Sequence, residues 1–271
     1  MVGSSHADLL VYIYSVSREA TLCNLAATKS VFFNQSQFDL RCEWGIHGVA
    51  QLAPVSDLVI IVDVLSFSTC VDIATHNGAI IFPYQWKNEL AIDYARSVNA
   101  ELASDRRSCS QGYSLSPSSL LNIPAGTKLV LPSPNGSALS LMTKQIPTLA
   151  GCLRNCQAIA NFAQSCGTKI AVIPAGERWE DGSLRPAWED WVGAGAILSY
   201  LNGSLSPEAE SAVAAFYSFK DTIASVLRKC SSGKELIARG FSQDVELAAA
   251  FNSSSCVPLL IDNAYIKQEI R

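Results

Sequence analysis

The sequence predicts an α/β protein with three layers, in which helices cover both faces of a largely parallel or mixed sheet. Apolar runs of four to six residues recur along the chain, and each run is followed by a turn. After each turn comes a segment in which apolar residues recur at helical spacing. This alternation is typical of parallel strands that are buried on both faces by the helices connecting them.

The composition is that of a globular protein with a small-molecule partner. Of the 271 residues, 49% are hydrophobic and 16% are charged, so the chain can bury the core of one large domain or two small ones. The net charge of -4 argues against a nucleic-acid partner, because proteins that bind phosphate backbones normally carry a basic face. We therefore expect a small ligand, or one compatible with an acidic protein, and no nucleic acid.

The cysteine content and the first residues indicate where in the cell the protein is expected. Nine cysteines, with no CxxC pair, are typical of reduced thiols in a cytoplasmic protein. The apolar run 9–14 is too short to cross a bilayer and no basic residues precede it, so no membrane segment is predicted. Residues 1–30 show no clear period and are predicted to be an N-terminal extension of uncertain structure, before an α/β domain over 31–271. The oligomeric state is open, a homo-oligomer included.

The first clear strand and helix lie near residue 60. The run DLVIIVDVL predicts a strand, and the segment FSTCVDIATHNGA after it predicts a helix that ends at Asn77-Gly78. Residues 79–84 are predicted to form the next strand, followed by a helix over about 87–98.

The remaining elements repeat this order. GTKLVLPSP and KIAVIPAGE predict strands, and SCVPLLIDN predicts a last short strand or edge. Helices are predicted for NGSALSLMTK, with Ser133 or Asn135 as the N-cap, for CLRNCQAIANFAQSC, for AWEDWVGAGAILSYL and for most of 206–251. No repeat or linker interrupts the pattern, so no further domain boundary is predicted.

Polar residues follow three of the predicted strands. In open parallel sheets, ligands bind beyond the carboxyl ends of strands, near helix N-termini that attract anions. These residues are Asp63, Ser66, Ser68 and Thr69 after the first strand, Ser133, Asn135, Gly136 and Ser137 after the second, and Gly176, Glu177 and Arg178 after the third.

Two of these turns are interpreted as an anion site. Gly136 removes the steric block of a side chain and leaves an N–H for a ligand, although the Asn135-Gly136 dipeptide alone predicts a plain turn equally well. Its parallel with the Asp63 turn favours anion binding. The predicted substrate-binding residues of the two turns are Ser68, Thr69, Asn135, Gly136 and Ser137.

The loop 175–195 carries the charged candidates. Arg178 and Arg185 match the oxygens of phosphate, sulfonate or carboxylate, whereas Glu180 and Asp181 are interpreted as a solvated surface. Glu189 and Asp190 lie among tryptophans on a helix too apolar to be mostly exposed, and are interpreted as functional. Together with Asp63 they would supply the oxygen ligands that Mg²⁺ prefers.

Several enzyme classes are disfavoured. A phosphatase of the haloacid dehalogenase type needs a second aspartate two residues after Asp63, where this chain has Leu65. No nucleotide P-loop, serine-hydrolase elbow or dinucleotide-binding glycine motif is present. His47 is more often a structural residue in such a turn, and Cys70 lacks the CxxxxxR loop of a phosphatase nucleophile.

Five segments together resemble one family. They are VDVLSFSTCVDIATHNGA, LPSPNGSAL, LAGCLRNCQAIA, AGERWEDGSLRPAWEDWVGAGAI and GFSQDVELAAAFNSSSCVPLL, in this order within about 31–262. They resemble the ComB family, the Mg²⁺-dependent 2-phosphosulfolactate phosphatases. The resemblance implies a three-layer α/β fold and hydrolysis of 2-phospho-3-sulfolactate to 3-sulfolactate and phosphate, a step in coenzyme M synthesis. The positions that match the family's motifs are Asp63, Asn135, Gly136, Glu189 and Asp190.

The resemblance and the residue pattern give one mechanistic hypothesis. Asp63, with Glu189 or Asp190, would hold Mg²⁺ and act in catalysis, while Arg178 or Arg185 would complete the charge around the substrate. Ser66 stands where the family's first motif usually has an arginine. Two alternatives stay open: a phosphomonoesterase for another small phosphorylated hydroxy acid, and a noncatalytic anion-binding relative that kept the fold.

Overall fold

The computed structural model of the chain describes residues 32–85, 89–104 and 112–268. The predicted extension 1–30 lies outside the described residues. By its contacts the chain divides into Met1–Gln37 and Phe38–Arg271. Every element named below belongs to the second of these units.

The first half of this unit alternates strands and helices along the chain. In order, they are β1 (Leu40–Cys42), α1 (Gly45–Leu52), a 3-10 turn (Ala53–Val55), β2 (Leu58–Val62), α2 (Phe67–His76), β3 (Ile80–Tyr84), α3 (Glu89–Ser97), β4 (Glu101–Leu102), a 3-10 turn (Pro117–Leu120), β5 (Lys128–Pro132), α4 (Gly136–Met142) and β6 (Thr148–Gly151).

The second half is mostly helical and ends in a strand pair. In order, the elements are α5 (Cys156–Cys166), β7 (Ile170–Pro174), β8 (Glu177–Arg178), β9 (Leu184–Arg185), α6 (Trp188–Leu198), α7 (Pro207–Phe219), a 3-10 turn (Lys220–Thr222), α8 (Ile223–Leu227), α9 (Ser231–Ala238), α10 (Ser242–Ala248), β10 (Pro258–Ile261) and β11 (Ala264–Lys267). Strands β8 and β9 form a separate antiparallel hairpin.

Nine strands form one mixed sheet in the order β1-β7-β2-β6-β10-β11-β3-β5-β4. The first four are parallel to one another, as are the last three. Between these two groups lies the antiparallel pair β10 and β11, which is antiparallel to β6 on one side and to β3 on the other. The strands of the first parallel group therefore run in the opposite direction to those of the second.

Strand β2 shows why the sheet is covered on both faces. All five of its residues are buried, and they alternate between two clusters because successive side chains of a strand point to opposite faces. Leu58, Ile60 and Val62 pack among residues of α5, α6 and α7. Val59 and Ile61 pack among residues of α1 and α4. The predicted three-layer α/β fold is confirmed.

Most predicted elements are confirmed, with two differences near turns and one at the last strands. The segment SCVPLLIDN, expected to form the last strand or an edge, contains β10, which lies inside the sheet and is followed by β11. The helix expected to start at Cys152 begins at Cys156, because 148–151 form β6 and Asn155 Oδ1 accepts the N–H of Cys152 at 2.9 Å. Asn135 occupies the N-cap position of α4 but makes no capping hydrogen bond with its side chain. Within the described part of the chain, no helix combines the length and apolar character needed to cross a membrane.

Candidate functional site

Asp63 follows the last residue of β2, and two loops hold its carboxylate. Its Oδ1 accepts the N–H of Phe67 at 3.1 Å, and its Oδ2 accepts the N–H of Gly136 at 2.9 Å. The residue is only 6% exposed. The acid at the end of this buried strand is therefore fixed in one orientation by the turn after β2 and the turn after β5.

The contact between these turns is notable because β2 and β5 are far apart in the sheet and belong to oppositely directed groups. Five pairs of neighbouring strands separate them. Neighbouring strands are rotated by roughly 20–25°, so the twist adds up to roughly 100–125° over that distance. The hydrogen bond from Gly136 to Asp63 nevertheless joins the turns at the carboxyl ends of β2 and β5.

Glycine is required at position 136 by this close approach. A Cβ there would lie 2.3 Å from Phe67 Cδ1 and 2.8 Å from Asp63 Oδ2. The sequence predicted a glycine that lets the backbone approach a ligand. In the structure the backbone at Gly136 approaches the Asp63 carboxylate, so its N–H is already engaged.

The hydroxyl residues after β2 are engaged within their own turn. Ser68 Oγ accepts the N–H of Asp63 and donates to the carbonyl oxygen of Ile61, both at 3.1 Å. Thr69 Oγ1 donates to the carbonyl oxygen of Val64 at 2.7 Å. Both residues are fully buried, as is Ser137, whose hydroxyl donates to Leu131. Their part in substrate binding stays a prediction.

Asp190 makes the same kind of bridge at the first turn of α6. Its Oδ1 accepts the N–H of Val64 and its Oδ2 accepts the N–H of Gly176, both at 2.8 Å. The turns joined in this way are the one after β2 and the one after β7. Asp190 and the adjacent Glu189 are both buried.

Carboxylates crowd these strand ends and repel one another. Burial, followed by the negative charges of Asp63 and Glu189, raises the pKa of Glu177 to about 7. The same causes, in the same order, hold the pKa of Asp190 well above its usual range. Glu177 is oriented by Asn135, whose Nδ2 donates to Glu177 Oε2 at 2.9 Å.

A cavity of about 200 Å³ opens at this point, and we call it the strand-end cavity. The turns after β2 and β5, strand β8 and helix α9 supply its walls. The lining residues are Asp63, Leu65, Ser66, Leu115, Ser133, Pro134, Asn135, Glu177, Ser232, Glu235, Leu236 and Arg239. Asp63 and Asn135, predicted from the sequence, thus face one cavity, whereas Glu189 and Asp190 are absent from the described residues that line it.

The arginines reach the cavity in different degrees. Arg239 lines it and pairs with Glu235 at 2.8 Å. Arg185 Nη2 donates to the lining Ser232 at 3.2 Å. Arg178 is exposed and donates to the carbonyl oxygens of Gly182 and Pro134, at 3.3 and 3.4 Å, so that it ties the β8–β9 hairpin to the turn after β5.

Sequence reasoning missed the contribution of α9. Ser232, Glu235 and Arg239 belong to no motif, and the only available signal was that 206–251 is mostly helical. Glu177 was one carboxylate among several in the loop 175–195, and its role depends on Asn135 and Asp63, which are distant in sequence.

A second cavity of about 280 Å³ lies beside the first, and we call it the hairpin cavity. It is bounded by the start of α1, the turn after β5 and the β8–β9 hairpin. Its lining residues are Trp44, Gly45, Ile46, His47, Pro134, Asn135, Leu139, Ala175, Glu177, Arg178, Gly182, Ser183 and Leu184.

The donor set fits a loosely held Mg²⁺ and not a closed metal centre. Among the described residues, no group of three His, Cys, Asp or Glu side chains is placed to hold a metal ion, and this includes Asp63, Glu189 and Asp190. Mg²⁺ is usually held by one or two carboxylates together with water and substrate oxygens. Asp63 lines the strand-end cavity and can supply one such carboxylate, so it fits that mode.

Comparison with known proteins shows which family this chain matches. The family model described as 2-phosphosulpholactate phosphatase matches residues 47–263, which include Asp63, Asn135 and Arg239. The 2-phosphosulfolactate phosphatase of Methanothermobacter thermautotrophicus is 29% identical over 223 residues, covering 80% of this chain and 92% of the relative.

Two further relatives are similar over shorter stretches. A probable 2-phosphosulfolactate phosphatase of Carboxydothermus hydrogenoformans is 28% identical over 208 residues, covering 74% of this chain and 84% of the relative. Another from Gloeobacter violaceus is 27% identical over 135 residues, covering 49% of this chain and 56% of the relative.

Proposed function

The chain belongs to the 2-phosphosulfolactate phosphatase family of phosphoric monoester hydrolases, and from this premise we propose that it hydrolyses 2-phospho-3-sulfolactate to 3-sulfolactate and phosphate. We also propose that the reaction requires Mg²⁺ and serves a synthesis of the coenzyme M type. The cytoplasmic location stays a prediction from the cysteine content.

The observation that carries this proposal is the place of Asp63. Its carboxylate lies at the carboxyl end of a buried parallel strand, lines a cavity, and is fixed by N–H groups of two loops. Ligands of open parallel sheets bind at such strand ends. A preorganised carboxylate in a small polar cavity is suited to acting on one phosphate group, because it needs no rearrangement when substrate arrives.

In the proposed reaction, the polar and charged residues of the cavity have separate roles. Asp63 would hold Mg²⁺, which when bound neutralises phosphate charge and lowers the pKa of a water. Arg239 and Ser232, the latter bonded to Arg185, would bind phosphate oxygens by charge-assisted and neutral hydrogen bonds.

Glu177 is the proposed proton donor. Water attacks phosphorus, the ester P–O bond breaks, and the leaving oxygen of the hydroxy acid takes a proton from Glu177. One proton of the water stays on the phosphate and the other is released to solvent, from which Glu177 is protonated again. A carboxyl whose pKa is raised to about 7 is partly protonated near neutral pH, and Asn135 orients it within the cavity. Asp190 is proposed to position this site and not to touch substrate, since both of its oxygens accept backbone N–H groups.

Phosphate release from a panel of phosphorylated hydroxy acids tests the proposal. The panel includes 2-phospho-3-sulfolactate and is measured with Mg²⁺ and with EDTA, for the wild type and Asp63→Asn. We expect release that depends on Mg²⁺ and is lost in Asp63→Asn. Absence of turnover on every ester would contradict a phosphatase function, and full activity of Asp63→Asn would contradict the role of that residue.

A further inference from the structure

The strand-end cavity and the hairpin cavity share one wall. Pro134, Asn135 and Glu177 line both of them, and the hydrogen bond from Asn135 to Glu177 spans 2.9 Å within that wall. The two cavities therefore adjoin along these three residues.

The sizes of the cavities indicate that one alone is small for a complete binding site. They measure about 200 and about 280 Å³. Sites for organic ligands usually enclose about 300–1,000 Å³, a range that neither cavity reaches and the two together do. A substrate that uses both cavities therefore has a site of ordinary size.

The walls of the two cavities differ in chemistry. Three carboxylates and a guanidinium line the strand-end cavity, at Asp63, Glu177, Glu235 and Arg239. Away from the shared wall, the hairpin cavity is lined by the polar side chains of His47, Arg178 and Ser183 and by four large apolar side chains. The apolar ones are Trp44, Ile46, Leu139 and Leu184.

The apolar walls are held in place by packing. Trp44 stacks on Trp191 with ring centroids 5.2 Å apart and an angle of 11° between the planes. Leu184 lies against Gly176, where a Cβ would come within 2.6 Å of Leu184 Cδ1. Even so, Ile46 and Leu184 are 39% and 41% exposed, which leaves apolar surface for a ligand to cover.

We propose that the hairpin cavity is a second substrate subsite, which binds an apolar substituent the size of a phenyl ring on the hydroxy acid whose phosphate lies in the strand-end cavity. The inference rests on the proposed phosphatase function and deepens it. The substrate class is then phosphorylated 2-hydroxy acids with an apolar side chain, in addition to the small sulfonated acid.

A comparison of two esters tests the subsite. We compare kcat/KM for phosphate release from 2-phospholactate and from 2-phospho-3-phenyllactate, which differ only by the phenyl ring. Burial of the ring in the hairpin cavity is expected to favour the phenyl ester about tenfold or more in the wild type. Each enzyme serves as its own reference, because only the ratio of the two values is used.

Two isoleucine variants locate the effect. Ile46→Trp fills the hairpin cavity and is expected to reduce the ratio at least about tenfold. Ile92→Trp is the matched control, because Ile92 is 44% exposed on α3 and lines neither cavity. It is expected to leave the ratio within about twofold of the wild type, because substitutions far from a site usually change its energetics by no more than that.

The outcomes separate this inference from the proposed function. Release from 2-phospholactate with a tenfold poorer phenyl ester would overturn the subsite and leave the phosphatase function standing. A good phenyl ester whose ratio is unchanged by Ile46→Trp would overturn the location in the hairpin cavity. No release from any ester, with 2-phospho-3-sulfolactate included, would overturn the proposed function and the subsite together.

Discussion

Asp63 and Asp190 are two buried aspartates with the same pattern of hydrogen bonds. Each accepts two backbone N–H groups, and in each case these come from different turns. Of the two, only Asp63 is among the described residues that line the strand-end cavity. The hydrogen-bond pattern alone therefore does not identify a reacting group, and contact with the cavity is the feature that distinguishes the two.

The largest expected effect separates these two residues directly. Asp63→Asn is expected to lower kcat on the order of 10³-fold, because the variant lacks the charge that faces the substrate. Asp190→Asn turns an amide N–H₂ toward a backbone N–H, and is expected to lower the free energy of unfolding by about 1–3 kcal/mol with a smaller loss of kcat.

Phosphate-release kinetics and urea denaturation measure the two quantities for both variants. The comparison would be wrong if Asp190→Asn lost as much kcat as Asp63→Asn while keeping the stability of the wild type. Asp190 would then belong to the chemistry, as the sequence predicted.

The next effect is a dependence of stability on pH, which comes from Glu177 and its burial among other carboxylates. The pKa of Glu177 is raised from 4.5 to about 7 in the folded protein, so the folded state binds more protons than the unfolded state between these values. Stability contributed by protonated Glu177 is therefore present below about pH 4.5 and falls, by at most about 3 kcal/mol, as the pH rises to about 7.

Denaturation at several pH values in EDTA checks this slope. Glu177→Gln is expected to flatten it, and Glu180→Gln, at an exposed position of the same hairpin, is expected to leave it as in the wild type. An unchanged slope in Glu177→Gln would show that the raised pKa of Glu177, caused by its burial and by the nearby carboxylates, is not its source.

Two glycines test whether crowding near Asp63 differs from crowding near Asp190. Gly136→Ala places a methyl group against Phe67 and Asp63, while Gly193→Ala places one 2.8 Å from Val64 Cγ2. Both are expected to cost about 1–3 kcal/mol of stability through overpacking. Only Gly136→Ala is expected to lower kcat about tenfold or more, because it displaces the Asp63 carboxylate, for which we propose a role in catalysis.

Thermal denaturation and kcat measurements on the two alanine variants test whether the losses of stability are similar and the losses of kcat differ. An equal loss of kcat in both would mean that disturbance anywhere around α6 reaches the chemistry, and the distinction between the two aspartates would disappear.

The smallest effect concerns substrate binding. Arg239→Gln is expected to raise KM about tenfold, because a charge-assisted hydrogen bond to phosphate is lost. Arg228→Gln is the matched control, since Arg228 also pairs with a glutamate at 2.9 Å but lies outside the strand-end cavity's described lining. If both variants have the KM of the wild type, Arg239 does not bind the substrate.

The sequence was sufficient where a requirement is local. A strand buried on both faces has to be apolar throughout, so LVIIV predicted β2, and the acid directly after it marked the strand end. The same reasoning located the turns after β5 and β7. The resemblance to the family extended this to the fold and to most of the chain.

The rest depends on contacts between distant residues. No local pattern places α9 over the strand ends, and none indicates that Asn135 would bond to Glu177 instead of capping α4. The place of β10 and β11 in the sheet is set by single-residue pairings of Leu259 with Leu149 and of Tyr265 with Ile81. Such pairings are decided by the packing of the whole domain.

The position of β10 and β11 also has a consequence for biosynthesis. This pair lies between β6 and β3, yet it follows every other strand of the described sheet in the sequence. On the ribosome, β6 and β3 are therefore made with one edge each unpaired, and unpaired edges promote aggregation. We expect nascent chains halted before residue 258 to aggregate or to recruit chaperones, and chains released beyond residue 267 to remain dispersed.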